Sequence, residues 1–251
     1  MILERKYELS SKIGEGSFGY VLKARNIITD KPVAVKIEPS ESITLKNEAK
    51  IYKLLNNIIG VPILYSYGNV NTISYLIMDM LGSPITPNVT YPHFLNIGKQ
   101  SLEIMKHMHN HKVLHRDIKP DNFLFDRDNK ILYLIDYGVA TYHESYETTN
   151  DTRSFIGTPI YSSLSVHNGV SYTRSDDLES LGYTLLWFLE GEIDWEQDNH
   201  DIILKKKRYL CCDPDIEEDV FIYDWVRYCR TLSATDVPLY DDLYIILNDF
   251  E

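Results

Sequence analysis

The segment from His115 to Asn122 holds side chains whose types and spacing could carry out one reaction. Asp117 could accept a proton, Lys119 could face a phosphate, and the amide of Asn122 could bind a metal ion. Phosphoryl transfer depends mainly on positioning and on neutralising charge, and these three groups meet both needs. The segment therefore indicates phosphoryl-transfer chemistry.

A second carboxylate that could take part follows a short apolar run further along the chain. Asp136 comes directly after Leu132–Ile135 and stands two residues before Gly138. A carboxylate at the end of a strand can hold a Mg²⁺ ion that bridges phosphate oxygens. The simpler interpretation is an ordinary strand-to-turn aspartate, and the segment around Asp117 favours the metal site.

A glycine-rich turn near the start of the chain is a candidate phosphate-binding element. Gly14, Gly16 and Gly19 surround Ser17, and Val21 begins a returning β-like run. Glycine has no Cβ, so its backbone amides can approach phosphate oxygens closely. A dinucleotide-binding turn has the same spacing but leads into a helix, whereas here a strand follows. An ordinary hairpin is the remaining alternative.

These motifs carry a resemblance to a known family. The segment around Asp117 resembles the catalytic loop of eukaryotic-type protein kinases, and Asp136-Tyr137-Gly138 resembles their metal-binding triplet, with Tyr137 in place of the usual phenylalanine. Most protein kinases carry Ala-Pro-Glu where this chain has Ser162–Leu164. The casein kinase 1 family also lacks that triplet. Further stretches similar to that family, which includes the vaccinia-related and tau-tubulin kinases, are Val35–Glu38, Glu48–Tyr52, Asp121–Leu124, Gly157–Ser165 and Arg174–Tyr183.

The resemblance implies an α+β fold, the bilobal protein kinase fold with a β-rich N-lobe and a helical C-lobe. We expect residues 1–251 to form a single kinase domain, with an N-lobe at 1–81, a hinge at 79–82 and a C-lobe at 83–251. Apolar periodicity agrees with this division of strands and helices. It predicts strands within 7–37, at 75–80 and at 132–135, and helices at 45–55, 94–109, 177–189, 219–232 and 239–249.

The resemblance also implies a role for Lys36. A lysine flanked by the apolar residues of 33–37 needs a partner of opposite charge. In the family this lysine contacts the α- and β-phosphates of ATP and pairs with a glutamate on the following helix. Glu48 is the first candidate and Glu41 the second, although Glu48 could instead lie on a solvated helix face.

The remaining catalytic roles are likewise implied by the resemblance. Asp117 would orient and deprotonate the substrate hydroxyl, and Lys119 would steady the γ-phosphate. Asn122 and Asp136 would hold Mg²⁺. Thr158 would set the substrate-facing loop and contact the catalytic-loop side chains, and its presence with Lys119 implies serine or threonine acceptors.

Other residues would bind the nucleotide or support the loop. Asp177 would brace the backbone of the catalytic loop. Val21, Ala34 and Leu124 would enclose the adenine. Met78 would guard the back of the pocket, and Asp79 and Leu81 would offer hinge backbone groups. The expected nucleotide-binding set is Gly14, Gly16, Ser17, Gly19, Val21, Ala34, Lys36, Glu48, Met78, Asp79, Leu81 and Leu124.

The sequence is thus interpreted as a serine/threonine protein kinase that uses ATP and Mg²⁺ and acts on proteins. One alternative is a pseudokinase or scaffold that regulates a partner, and degraded Lys36, Asp117, Asn122 or Asp136 would have favoured it. Another is a small-molecule phosphotransferase, which the later family motifs disfavour.

Substrate preference is where the chain departs from the casein kinase 1 pattern. Ile160 replaces an arginine that helps to bind acidic or prephosphorylated substrates in that family, and Pro159 replaces an alanine. Arg153 occupies the place of another basic residue of that anion site. The run Lys205–Arg208 is interpreted as a solvated face, with a contribution to anion binding as the alternative.

Composition sets the remaining expectations. The net charge of −12 argues against nucleic-acid partners and against an anionic membrane surface. The three cysteines, Cys211, Cys212 and Cys229, suit no disulfide framework and indicate a reducing compartment. We expect a monomer in the cytoplasm or nucleus, or in a host cytoplasm if this compact chain is viral.

Overall fold

The computed structural model describes residues 1–16, 19–40, 42–144, 155–210 and 221–249. The predicted α+β fold is confirmed, with an antiparallel sheet early in the chain and helices later. Two compact units divide the chain, one comprising Met1–Ser83 with Leu124–Gly138, the other Pro84–Phe123 with Val139–Glu251.

The first unit differs from the predicted N-lobe by including residues 124–138. Two short strands there, β8 (Phe123–Phe125) and β9 (Leu132–Leu134), pair with each other. The amide of Gly82 donates to the Phe125 carbonyl at 2.8 Å, and the amide of Leu134 donates to the Gly60 carbonyl at 2.8 Å. These backbone bonds attach the hairpin to the first unit.

A six-stranded antiparallel sheet forms most of the first unit. Its strands are β1 (Ile2–Leu3), β2 (Tyr7–Glu15), β3 (Tyr20–Asn26), β4 (Pro32–Pro39), β5 (Leu64–Val70) and β6 (Ile73–Asp79), in the spatial order β1-β2-β3-β4-β6-β5. The strands predicted within 7–37 and at 75–80 are confirmed. The periodicity missed β5, because it lies at the sheet edge and most of its side chains are only partly buried.

Helix α1 (Ile43–Leu54) confirms the helix predicted at 45–55. It forms because Leu45, Ala49 and Tyr52 recur at helical spacing and all three are buried. Its position after β4 matters for the site, because Glu48 lies on the same buried side of the helix.

The second unit is mainly helical. Its helices are α2 (Tyr91–Asn110), α3 (Leu164–His167), α4 (Arg174–Glu190), α5 (His200–Tyr209), α6 (Phe221–Thr231) and α7 (Tyr240–Asp249), and β7 (Val113–Leu114) pairs with β10 (Thr141–Tyr142). The helices predicted at 94–109, 177–189, 219–232 and 239–249 are confirmed. Across the described ranges, no helix combines the length and apolarity needed to cross a bilayer.

Helix α4 is the centre of the second unit's core. Leu178, Leu181 and Leu185 are fully buried along it. Trp225 on α6 packs against Gly182, where a Cβ would lie 2.4 Å from the indole ring. The indole nitrogen of Trp225 donates to the Leu178 carbonyl at 2.7 Å, so ring and backbone are fixed together.

Helix α5 corrects the interpretation of residues 205–208 as a solvated face. Lys205 and Arg208 are exposed, but Lys207 is completely buried. The inward side of α5 is formed by Ile203 and Lys207, four residues apart. Because one of its two buried positions holds a lysine, the sequence lacks an apolar stripe there and no helix was predicted.

Candidate active site

In the first unit, Lys36 is held by two carboxylates. Its Nζ lies 2.7 Å from Oε2 of Glu48 and 2.7 Å from Oδ1 of Asp136. The Lys36–Glu48 pair is the arrangement expected from the sequence, and it satisfies the need of a partly buried lysine for opposite charge. Glu41, the second candidate partner, lies outside the described residues.

A third carboxylate, which the sequence interpretation missed, lies beside the same lysine. Glu38 is buried, and its Oε1 is 3.9 Å from Lys36 Nζ. Its other oxygen accepts hydrogen bonds from the hydroxyls of Ser42 at 2.5 Å and Thr44 at 2.6 Å. Strand alternation could have revealed it, because residues two apart on β4 face the same side of the sheet.

The pKa values of Lys36 and Glu48 are both raised, with opposite consequences for their charges. Burial lowers the pKa of Lys36, but the negative charges of Glu48 and Asp136 outweigh burial and raise it. Burial raises the pKa of Glu48 to about 7, because the attraction of Lys36 offsets burial only in part and Asp136 and Glu38 repel a further negative charge. The ammonium therefore stays charged, and Glu48 is the carboxyl whose ionisation is opposed.

Asp136 follows β9 in a strained backbone conformation. Its φ is +65°, in the left-handed region that non-glycine residues rarely occupy. Its side chain is 45 % exposed, whereas the next residue, Tyr137, is fully buried. The Tyr137 ring packs edge-on against Tyr52, with 5.1 Å between centroids. Tyr137 thereby anchors the turn, and Asp136 remains accessible.

The glycine-rich turn connects β2 and β3. The amide of Gly16 donates to the Gly19 carbonyl at 2.8 Å and closes the hairpin. Gly19 is required by packing, because a Cβ there would lie 1.9 Å from the Ile37 carbonyl oxygen of β4. Gly14 lies opposite Val21, and Ser17 lies outside the described residues.

The residues expected to enclose adenine lie in the first unit. Ala34 on β4 is directly opposite Met78 on β6, and both are buried. Asp79 ends β6, and its carboxylate accepts hydrogen bonds from the Ile63 amide at 2.8 Å and the Tyr65 hydroxyl at 2.5 Å. Val21 on β3, Leu81 and Leu124 on β8 are partly buried.

In the second unit, Asp117, Lys119 and Thr158 form a hydrogen-bonded group. Lys119 Nζ lies 2.7 Å from Oδ2 of Asp117. Thr158 Oγ1 donates to Oδ1 of Asp117 at 2.8 Å and accepts from Lys119 Nζ at 3.1 Å. The buried side chain of Asn122 donates from Nδ2 to the Asp117 carbonyl at 2.7 Å. Both carboxylate oxygens of Asp117 are thus oriented by neighbours.

Asp177 supports this loop from the core. It is fully buried and accepts from the amide of His115 at 2.8 Å and of Arg116 at 2.9 Å, and its Oδ2 is 3.1 Å from His109 Nε2. These bonds hold Arg116 at a left-handed φ of +69°. Gly157, at φ +106°, sits so close to the Arg116 carbonyl that a Cβ would approach it to 2.7 Å.

We expect Asp177→Asn to lower the free energy of unfolding by about 2–3 kcal/mol, because it weakens charge-assisted hydrogen bonds in a buried site. Burial would raise the pKa of Asp177, but His109, His115 and Arg116 together lower it below its ordinary 3.8. A depressed pKa stabilises the fold above the unfolded value, so the difference from wild type should shrink below about pH 4. Urea unfolding at several pH values measures the free energy of unfolding, with Asp128→Asn at an exposed position as the control. An equal loss of stability in both variants would contradict the role of Asp177.

Glu179 on α4 holds the segment that stands where most kinases carry Ala-Pro-Glu, a role that sequence reasoning missed. Its Oε1 accepts from the Leu164 amide at 3.0 Å and from the Tyr183 hydroxyl at 2.7 Å. Arg230 on α6 donates to the same oxygen at 2.9 Å. A carboxylate from the central helix therefore fastens the Ser162–Leu164 segment.

The oxygen donors available for a metal are few. Over the described residues, no group of three or more His, Cys, Asp or Glu side chains is placed to hold a metal ion. Of the two ligands expected from the sequence, Asp136 lies in the first unit and Asn122 in the second. Carboxylate and amide oxygens are among the ligands that Mg²⁺ accepts, and it commonly takes its other ligands from phosphates and water.

A comparison with known families supports the interpretation of the Lys36 cluster and the Asp117 group. The chain matches the family described as "Protein kinase domain" over residues 7–220. The match begins with β2, includes the Lys36 cluster and the Asp117 loop, and extends beyond α5. A match over so much of the sequence shows that the chain belongs to the protein kinase family, whose members transfer phosphate to protein substrates.

Proposed function

We propose that the chain is an active serine/threonine protein kinase of the casein kinase 1 type, which uses ATP and Mg²⁺. The observation that carries the proposal is the hydrogen-bonded group of Asp117, Lys119 and Thr158. In the family resemblance, a lysine and a threonine beside the proton acceptor accompany serine and threonine substrates.

On the acceptor side, Asp117 would take the proton of the substrate hydroxyl as its oxygen attacks the γ-phosphate. Lys119 and Thr158 each contact one carboxylate oxygen, so the carboxylate is oriented before substrate arrives. The Lys119 ammonium would also neutralise charge on the phosphate being transferred.

On the donor side, Lys36 would contact the α- and β-phosphates of ATP, with Glu48 holding its ammonium in place. Asn122 and Asp136 would hold Mg²⁺, which supplies neutralisation of phosphate charge when bound. That both belong to one magnesium site is inferred from their places in the kinase sequence pattern.

The nucleotide base would be enclosed by Val21, Ala34 and Leu124. Ala34 and Met78 lie opposite each other on paired strands. Their small and flexible side chains support an apolar surface against which the base could pack. Asp79 and Leu81 would offer backbone groups to the adenine edge, and the Gly14–Gly19 turn would cover the phosphates.

We further propose that the chain acts as one kinase domain and as a monomer on protein substrates in the cytoplasm or nucleus. Its net charge of −12 supports the expectation that nucleic acid and anionic membranes are not partners. Cys229 is a free and buried thiol, which agrees with a reducing compartment.

The acceptor class can be tested with three peptides that differ only in carrying serine, threonine or tyrosine. We expect radiolabel from ATP on the serine and threonine peptides, identified by phosphoamino-acid analysis. Labelling of the tyrosine peptide at a comparable rate would contradict the serine/threonine assignment and leave the kinase family assignment standing.

We also propose a weaker preference for prephosphorylated substrates than typical casein kinase 1 members show, with some preference for acidic substrates retained. Ile160 replaces the arginine of the casein kinase 1 pattern, and Arg153 lies outside the described residues. In the basic run Lys205–Arg208, two of the side chains are already engaged within the protein. Lys206 pairs with Asp194 and Asp198, and Lys207 is buried.

We therefore expect Ile160→Arg to raise kcat/KM for a phosphoprimed peptide about tenfold more than for its unprimed twin. A charge-assisted hydrogen bond to phosphate contributes roughly 1.5 kcal/mol or more, which corresponds to that factor. Steady-state kinetics on both peptides, with Ile160→Gln as an uncharged control, measures the effect. Equal gains on the two peptides would show that this position does not read substrate charge.

A further inference from the structure

Lys207 lies in a buried polar cluster behind residues 158–162, which we call the substrate loop. Its side chain is 0 % exposed. The ammonium donates to the carbonyl of Pro159 at 2.9 Å and to the carbonyl of Ser162 at 2.6 Å. One side chain of α5 thus bonds to two backbone positions of the substrate loop.

Aromatic rings surround the Lys207 amine, which donates to backbone carbonyls rather than to a carboxylate. Its Nζ lies 4.7 Å from the centre of the Tyr183 ring and 5.6 Å from that of Trp195, within cation–π range. Burial lowers the pKa of Lys207 well below its usual value, Glu179 opposes that shift, and Arg230 adds to it. Ammonium and neutral amine can both donate to two carbonyls, so the contacts persist in either protonation state.

Other donors hold the same stretch of backbone. The indole nitrogen of Trp195 donates to the Ile160 carbonyl at 2.9 Å, and His167 Nε2 lies 3.0 Å from the Pro159 carbonyl. Arg230 donates to the carbonyl of Lys207 itself at 2.9 Å and so fixes the end of α5. The substrate loop is therefore held from the side of the helical core.

The substrate loop connects these contacts to the Asp117 group. The amides of Tyr161 and Ser162 each donate to the Thr158 carbonyl at 3.0 Å, which makes residues 158–162 a tight turn. Thr158 then donates from Oγ1 to Asp117. Fixing the carbonyls of Pro159 and Ser162 fixes the backbone from which the Thr158 hydroxyl projects.

We propose that Lys207 is a positioning residue that clamps the substrate loop, so that Thr158 stays against Asp117 and the loop is ready-formed for a peptide. The proposal rests on the proposed function for its effect on catalysis. Its structural part, the clamping of residues 158–162, stands independently of which acceptor the enzyme uses.

The test compares Lys207→Met with Lys205→Met, which makes the same change at an exposed position of α5. Methionine keeps the length of the side chain but removes the donor to the buried Ser162 carbonyl and one of the two donors near the Pro159 carbonyl. We expect amide hydrogen exchange at Tyr161 and Ser162 to accelerate about tenfold or more in Lys207→Met. We also expect kcat/KM for a serine peptide to fall about tenfold or more, with the Kd of ATP within twofold of wild type. Lys205→Met should match wild type in all three.

A second variant tests a neighbouring donor to the same loop. Trp195→Phe keeps an aromatic ring beside Lys207 and removes only the donor to the Ile160 carbonyl. It should show smaller changes in the same two readouts. Wild-type exchange in the substrate loop of a folded Lys207→Met would overturn the proposal. If Lys207→Met does not fold, wild-type exchange in a folded Lys207→Gln, whose shorter side chain gives up the reach of the ammonium, would overturn it.

Failure of the proposed function gives a different result. Absence of peptide phosphorylation in every variant, wild type included, with faster loop exchange in Lys207→Met but not in Lys205→Met, would retain the clamp and reject the kinase activity.

Discussion

Replacing Lys36 by methionine is expected to lower the rate of phosphotransfer about 10²-fold or more while the protein remains folded. The lost ammonium would no longer neutralise phosphate charge or position ATP, which costs several kcal/mol of transition-state stabilisation. The fold should survive because Glu48, whose pKa burial already raises to about 7, can take up a proton when its partner is gone.

The measurement is kcat/KM for a serine peptide, together with a thermal melt to confirm folding. Lys23→Met is the matched control, because it removes an exposed lysine from the neighbouring strand β3. Near-wild-type turnover by folded Lys36→Met would show that this lysine has no part in the reaction.

Asp117→Asn is expected to lower kcat by about 10² to 10⁴-fold, the range that general base catalysis contributes. The amide cannot accept the substrate proton, although it retains the size of the side chain and can still meet the Thr158 hydroxyl. The Kd of ATP measured by calorimetry should stay within a few-fold of wild type, because only the acceptor side is altered.

The control for this variant is Asp121→Asn, which neutralises an exposed carboxylate in the same loop. It should retain wild-type kcat. A large loss of ATP affinity in Asp117→Asn, with little change in kcat at saturating ATP, would assign Asp117 to nucleotide binding rather than to proton transfer.

Much of the fold followed from apolar periodicity, and the missed elements have identifiable causes. Helices α2 and α4 carry enough buried apolar residues to be recognised from spacing alone. Helix α5 was missed because its inward stripe contains Lys207, whose burial depends on carbonyls of the substrate loop far away in sequence. Long-range contacts of this kind leave no local pattern.

The candidate site shows the same contrast between near and distant residues. Asp117, Lys119 and Asn122 fall within one short segment, so their spacing could be interpreted directly. The role of Glu179 as the carboxylate that fastens residues 162–164 could not be predicted, because its contact with the Leu164 amide joins two elements that the sequence pattern does not relate. Glu38 could have been predicted from strand alternation, since it faces the same side of β4 as Lys36.

The most direct test of the account is incubation of radiolabelled ATP and Mg²⁺ with casein, using wild type beside Asp136→Ala from parallel preparations. Asp136 contacts Lys36 and is the expected carboxylate ligand of the metal. We predict that wild type labels casein and that Asp136→Ala, folded to the same extent, does not. Absence of label with folded wild type would contradict an active kinase and favour the pseudokinase alternative, and equal labelling by both proteins would contradict the role given to Asp136.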